Sequence, residues 1–288
     1  LDKNGFKTVL YDVQTSRYKG NNQQEFIGDI LDYRSVLKAM EGCEVVYHLA
    51  AQADIDSSTV KPAQTMETNI LGTQNILEAS RKLNVKRLMF SSTVYVCSEM
   101  GSFYRVSKQA CEKMIEEYQK EFGLNYTILR YGSLYGTRAN EYHSVYHMLI
   151  QDLQQKKLVR RGDGEEVREY IHVKDAAQLS VDALNEEYVN KHLIITGTQT
   201  LRIKDLLHMI KGIFQNSIEI IYDGEKELHH YEITPYAYRP QVAQKIFPKI
   251  YHDLGQGLLD LIYDLEYQFE KKKTQDKISL RKRKREKS

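Results

Sequence analysis

Short apolar runs of strand length alternate with amphipathic helical stretches through the first half of this sequence, and few folds accommodate that rhythm. Lys7–Tyr11 (KTVLY), Glu44–Leu49 (EVVYHL), Arg87–Ser91 (RLMFS) and Tyr126–Tyr131 (YTILRY) read as strands. Between them, Ser35–Met40, Pro62–Leu83 and Tyr104–Phe122 carry apolar residues at helical spacing. Alternation of this kind builds a parallel sheet covered by helices on both faces. The fold class expected is therefore α/β, a doubly wound parallel sheet. Such sheets bind ligands at the carboxyl ends of their strands, so the residues just after each strand are the ones to examine.

The rhythm changes after Gly136. Glu141–Gln155 reads as a helix, Gly162-Asp163-Gly164 as a turn, and Tyr170–Val173 as a strand before a helix to about Asn185. His192–Thr196 is another strand and Ile203–Phe214 another helix. We expect a main domain over residues 1–155 and a smaller α/β substrate domain over 156–270, with some elements returning to the main sheet. A tail over 271–288 completes the chain.

That tail holds ten Lys/Arg and two Asp/Glu, a net of +8 against +2 for the whole sequence, so the remainder is net −6. A net-negative body offers no basic groove, and no nucleic acid partner is expected. The tail reads as a disordered, solvated end. No apolar run approaches the roughly 20 residues of a membrane span, so neither membrane contact nor a location other than the cytoplasm is expected. Cys43, Cys97 and Cys111 form no metal-spaced pair, which predicts packed, reduced thiols and no metal site. The adjacent His229 and His230 read as surface residues.

Tyr104 and Lys108 stand one helical turn apart in YRVSK, on the face of a helix. A tyrosine hydroxyl titrates near ~10 in water, too high for a base at neutral pH. A neighbouring ammonium stabilises the phenolate and is expected to lower that value. Tyr104 would then take a proton from a substrate hydroxyl while hydride leaves the same carbon. Just upstream, FSSTVY ends a strand and delivers a hydroxyl to the same crevice, with Ser91 as the third member of the set.

In order along the chain, these segments resemble the extended short-chain dehydrogenase/reductase family, in particular its nucleotide-sugar epimerase/dehydratase branch. The resemblance runs from about Lys7 to about Phe214 and implies a Rossmann-like fold, NAD as cofactor and a nucleotide sugar as substrate. It implies that Asp12 in VLYDVQ holds the adenosine ribose, that Gly28-Asp29-Ile30 brackets the adenine, and that His48-Leu49-Ala50-Ala51 with Gln52 lines the cofactor. Asn69 matches the family's helix asparagine near the active site, and Ser91 the family's catalytic serine, ahead of Ser92 or Thr93. Tyr131, in LRYGSLYG, falls in the segment that closes over nicotinamide, and Ser133 stands where the family usually has Asn and contacts substrate. GDGEEVREYIHVKDAA (162–177) resembles the nucleotide-sugar signature, in which Arg168 would contact the pyrophosphate, a task suited to a permanently charged guanidinium. The two long helices, Pro62–Leu83 and Tyr104–Phe122, correspond to the family's dimer interface, which implies a homodimer.

Dehydratases of the family place Asp-Glu after the catalytic Ser/Thr; here Ser92 and Thr93 stand there, and neither serves as a carboxylate acid or base. A 4-epimerase acting through a 4-keto sugar needs only the Ser/Tyr/Lys set and a tightly held cofactor. A reductase or sugar dehydrogenase would use the same residues. A non-catalytic binding protein would be expected to lose Ser91, Tyr104 or Lys108, and all three persist; a truncated, inactive fragment is the stronger competitor. No Gly-x-Gly-x-x-Gly or Gly-x-x-Gly-x-x-Gly occurs in the sequence. We expect roughly 20–25 residues ahead of Leu1, the length of a strand, a turn and most of a helix. Because such a turn supplies backbone amides to the pyrophosphate, the 288-residue chain is expected to bind NAD weakly in titration calorimetry. Tight binding would show that another element does this work.

Overall fold

The computed structural model describes residues 1–21, 23–139, 157–198, 200–213, 218–224 and 229–235, all within one compact unit, Leu1–Arg239. Its centre is a parallel sheet in the order β3-β4-β5-β9, formed by β3 (Val45–His48), β4 (Arg87–Thr93), β5 (Tyr126–Tyr131) and β9 (Lys191–Ile195). Helices cover both faces, as the alternation predicts. The parallel pair β1 (Val9–Asp12) and β2 (Gln24–Ile27) precedes it.

Strand β4 shows how the pattern is built. Leu88 and Phe90 project toward Ile76, Leu77, Cys111 and Ile115, which belong to the helices α4 (Gly72–Lys82) and α5 (Ser102–Phe122). Met89 projects the other way, into a cluster with Leu129, Ile171, Ala176 and Ile195. Val36 of α1 (Tyr33–Ala39) joins the first cluster; Ala176 of the second belongs to a helix described below. Successive strand residues face opposite sides, so a nearly unbroken apolar run suits a strand buried on both faces.

Caps in the sequence set several helix boundaries. Asp32 accepts from the backbone amides of Arg34 and Ser35 to start α1. Asp54 does the same from Ser57 for α2 (Ile55–Val60), and Pro62 occupies the first turn of α3 (Pro62–Met66). Gly123, left-handed at φ 70°, ends α5. The helix expected over Pro62–Leu83 is not uniform: a π-helical stretch, Glu67–Leu71, joins α3 to α4. Neither this widening nor α2 nor β2 was expected from the sequence. Strand β2 (QEFI) escapes because only two of its four residues are apolar.

The second half follows with β6 (Ser133–Tyr135), β7 (Lys157–Arg160), β8 (Val167–His172), α6 (Val173–Asp182), β10 (Thr200–Arg202), α7 (Ile203–Ile213) and β11 (Glu219–Tyr222). They form the sheets β10-β8-β6 and β11-β7. The strand expected at Tyr170–Val173 begins earlier and stops at His172, whose ring accepts from the Lys174 amide and caps α6. Strand β9 pairs with β5 in the central sheet. The helix expected over Glu141–Gln155 and the basic tail lie outside the described residues.

Gly197 follows β9 where the chain meets β8 most closely: a Cβ there would stand 2.1 Å from the Tyr170 carbonyl oxygen. Backbone cannot yield as a side chain does, so Gly197→Ala is expected to cost about 1–3 kcal/mol in urea denaturation. Unchanged stability would show that the β8–β9 approach is loose.

Candidate active site

The period of two in β4 divides its polar end. Ser92 turns toward α5, where its hydroxyl donates to Glu112 at 2.5 Å. On α5, Tyr104, Lys108 and Glu112 recur every fourth residue and share one stripe. The Lys108 ammonium, only 2% exposed, donates to the Ser91 carbonyl oxygen at 2.7 Å. It lies 4.7 Å from the Phe90 ring centroid and 5.9 Å from that of Tyr104. Thus the structure does bring Ser91, Tyr104 and Lys108 together, but with Ser91 meeting Lys108 through its main chain.

Burial pushes Lys108 down to about 8, partly opposed by Cys111 and Glu112. Burial pushes the Tyr104 phenol up to about 12, partly opposed by a hydrogen bond with Thr93. The lowering of Tyr104 expected from spacing is therefore not realised in this conformation, because desolvation of the phenol dominates. Thr93 is a site residue that sequence reasoning passed over; its position two residues after Ser91, on the same strand face, was the available signal.

A hydrogen-bonded frame surrounds the pair. Asn69, buried in the π-helical stretch, accepts from the Gln52 amide at 2.7 Å and donates to the Gln52 carbonyl at 3.1 Å. It also donates to the Ser107 hydroxyl at 2.8 Å, and Ser107 in turn donates to the Tyr104 carbonyl at 2.8 Å. Asn69 thereby ties the loop after β3 to the helix of Tyr104, acting through Gln52. At the start of α5, Tyr104 N donates to Ser58 Oγ of α2 at 3.3 Å. Gly101 precedes it at φ 101°, where a Cβ would collide with the Tyr95 ring at 2.7 Å.

Several groups stand at the carboxyl ends of the neighbouring strands. Asp12 ends β1 with an exposed carboxylate that accepts from Gln14 N. Asp29 is exposed, its side chain accepting from Leu31 N, while Ile30 is buried beneath α4. A Cβ at Gly28 would lie 2.5 Å from the Tyr11 hydroxyl, which instead donates to the Asp29 carbonyl. Beyond β3, Leu49 is 60% exposed and Ala50 is exposed, while Ala51 and Gln52 are half-buried. An exposed carboxylate on one strand end and small or apolar residues on the other suit a dinucleotide's ribose and rings. No glycine-rich turn in the sequence accompanies them.

On β6, Ser133 pairs with Tyr170, two residues beyond Arg168 on β8. Arg168 is 6% exposed, donates to the carbonyls of Val167 and Glu232, and stacks 4.3 Å from the Tyr231 ring centroid. Among the described residues no carboxylate pairs with it. Tyr231 stacks on Tyr95 at 4.6 Å, and the Tyr95 hydroxyl meets His230 Nδ1 at 2.7 Å. His230 is thus engaged with the segment after β4, not a free surface residue. Tyr131 goes elsewhere: its hydroxyl bonds Ser180 of α6 at 2.6 Å, on the face opposite α5.

Among the described residues no cluster of His, Cys, Asp or Glu is placed to hold a metal, and no helix is long and apolar enough to cross a membrane. Cys43, Cys97 and Cys111 are free thiols, the last two buried.

The family model described as the NAD dependent epimerase/dehydratase family matches residues 1–195. A Methanocaldococcus jannaschii protein, named provisionally as a UDP-glucose 4-epimerase, is 30% identical over 256 residues, covering 81% of this chain and 83% of its own. The UDP-N-acetyl-alpha-D-glucosaminuronate decarboxylase of Bacillus cytotoxicus is 29% identical, with 77% of each chain covered. Among solved structures, UDP-glucose 4-epimerase of Thermotoga maritima, crystallised with UDP-glucose, superposes with a TM-score of 0.75 at 26% identity, over 82% of this chain and 84% of that one.

Lys108 holds its proton less tightly in the folded chain, at about 8 against 10.5 for the free side chain. Between those values unfolding takes up a proton, so rising pH stabilises the fold, by up to about 3 kcal/mol across the interval. Urea denaturation at pH 7.5, 9 and 10 should show this gain for the wild type relative to Lys108→Met. A difference between the two proteins that is flat with pH would contradict the burial of the charge.

Proposed function

Since this chain belongs to the NAD-dependent epimerase/dehydratase family, we propose that it is a 4-epimerase of a nucleotide sugar. The observation that carries the reading is the company kept by Tyr104: Thr93 hydrogen-bonds its phenol, Lys108 stands one turn along and binds the Ser91 carbonyl, and the two positions after Ser91 hold no carboxylate. A dehydration that depends on a carboxylate there has no group to use, whereas inversion at a hydroxyl carbon needs a single acid/base.

The chemistry that NAD supplies when bound is reversible hydride transfer at the carbon bearing the hydroxyl. Asp12 would hold its adenosine ribose, Ala50, Ala51 and Gln52 would line it, and Lys108 would face its nicotinamide ribose. Tyr104 Oη holds and moves the substrate hydroxyl proton. The Lys108 ammonium favours the phenolate once a further positive charge approaches, which offsets the desolvation that raises Tyr104 here. Ser91 and Thr93 orient the substrate oxygen. Arg168, buried and without a carboxylate among the described residues, offers its charge to the substrate pyrophosphate. In the same reading, the exposed Leu71 and Phe122, at the start of α4 and the end of α5, support a homodimer through those helices.

With NAD supplied at saturating concentration and a panel of UDP- and dTDP-sugars followed by NMR, the wild type is expected to equilibrate one pair of 4-epimers without net consumption of NAD. Tyr104→Phe should lower turnover at least ~100-fold. Arg168→Ala should raise KM for the nucleotide sugar at least ~10-fold while NAD affinity holds. Stoichiometric NADH formation would instead favour a dehydrogenase, and full activity in Tyr104→Phe would remove the assignment.

A further inference from the structure

Glu112, 3% exposed and one turn beyond Lys108, is not used by the reaction proposed above, yet it is among the most heavily engaged side chains described. Its Oε1 accepts from Ser92 Oγ of β4 at 2.5 Å and from Arg130 Nε of β5 at 3.0 Å, and its Oε2 from Arg130 Nη2 at 2.6 Å. The same Nη2 stands 2.8 Å from His192 Nδ1 on β9, and Arg130 Nη1 stands 3.6 Å from Cys97 Sγ. His192 Nε2 lies 3.3 Å from Glu116 Oε1, which also receives Lys113 Nζ. One carboxylate therefore ties the helix of Tyr104 and Lys108 to three successive strands.

We propose that Glu112 is a positioning residue for the reaction: gripped by Ser92 and Arg130, it sets the height and rotation of α5 over β4 and sustains the positive charge of Lys108, through which it acts on Tyr104.

The register argument is geometric. Lys108 holds the main chain of Ser91, and Glu112, one turn along, holds the side chain of Ser92. A slip of α5 by one residue would rotate its face by roughly 100°, which carries both side chains off these partners. The charge argument is local. The groups that act on Lys108 are Tyr104, Cys111 and Glu112 on its own helix and His48 on β3. Burial keeps Cys111 a thiol and holds His48 neutral, its value lowered to about 3. Cys111 and Glu112 both oppose the desolvation of the ammonium, and Glu112 is the carboxylate of the two.

The proposal rests on the epimerase reading only for what Lys108 serves, so its test begins without substrate. In full-length protein carrying ¹³C-labelled lysine, Glu112→Gln should move the Lys108 titration midpoint down by about one pH unit, a tenfold loss of proton affinity. In turnover, the same variant should lower kcat about tenfold with KM changed less than about twofold, its alkaline limb moving with the NMR midpoint. Loss of structural support alone would reduce stability without moving either titration. Ser92→Ala keeps the ion pair and removes one grip; it should fold and lower kcat about threefold at unchanged KM. An unmoved Lys108 midpoint in Glu112→Gln overturns the proposal; if that variant does not fold, wild-type kcat in Ser92→Ala does so. A shifted midpoint in a chain that turns over no nucleotide sugar would leave the proposal standing and remove the epimerase reading.

Discussion

The hydrogen bond from the Lys108 ammonium to the Ser91 carbonyl joins the middle of α5 to the strand that carries the site's hydroxyls. An ammonium taken out of water loses several kcal/mol of hydration unless its surroundings replace it. Here the replacement is assembled from a carbonyl dipole, the face of Phe90 and the carboxylate of Glu112 a turn away. None of these contacts the charge as a direct ion pair. The amine is consequently left near the middle of its titration at mildly alkaline pH, a state in which a small change of charge nearby has a large effect. Perturbed groups of this kind gather at functional sites because their environment is arranged around a task rather than around stability.

Arg168, on β8, solves the same problem by different means. A guanidinium cannot shed its proton, so its burial cannot be relieved by neutralisation. Two carbonyls and the Tyr231 ring satisfy part of its hydrogen-bonding and electrostatic demand. The stack continues through Tyr95 to His230, which couples the guanidinium to the segment that follows Thr93. Lys108 and Arg168 are thus both buried cations, one titratable and one fixed. In the proposed reading, both would be charge held ready for an anionic ligand.

How much of this could be read in advance depended on whether a residue acts through local pattern or through a distant partner. The sheet was legible because β3, β4 and β5 are apolar runs punctuated by helices. The Tyr104–Lys108 pair was legible because four-residue spacing fixes a helix face. Asn69 could be placed near the site by resemblance, but its reach to Gln52 and Ser107 depends on the π-helical widening of Glu67–Leu71, which no periodicity announces. Glu112 looks in sequence like one more acid in a charged helix; only the approach of Ser92 and Arg130 distinguishes it from Glu116 and Glu117. His230 was read as surface because its partner, Tyr95, lies 135 residues away. The pKa of Tyr104 was inverted for a related reason: spacing reports the neighbouring charge and is silent about desolvation.

The positions after Ser91 bring scaffold and chemistry together. At residue 92 the side chain points at the Glu112 carboxylate, so a hydroxyl donates there while a second carboxylate would be repelled or forced to take up a proton. At residue 93 the side chain meets the Tyr104 phenol; an acid in its place would raise a value that burial has already raised to about 12. In this chain the neutral hydroxyls of Ser92 and Thr93 are therefore more than the absence of a dehydratase's acids. Each fits the charge already present beside it, Ser92 serving the frame that holds α5 and Thr93 the phenol that α5 delivers. A carboxylate at either position would oppose the arrangement on which Tyr104 depends, and this mutual consistency is the physical reason for favouring inversion at a single hydroxyl carbon over elimination.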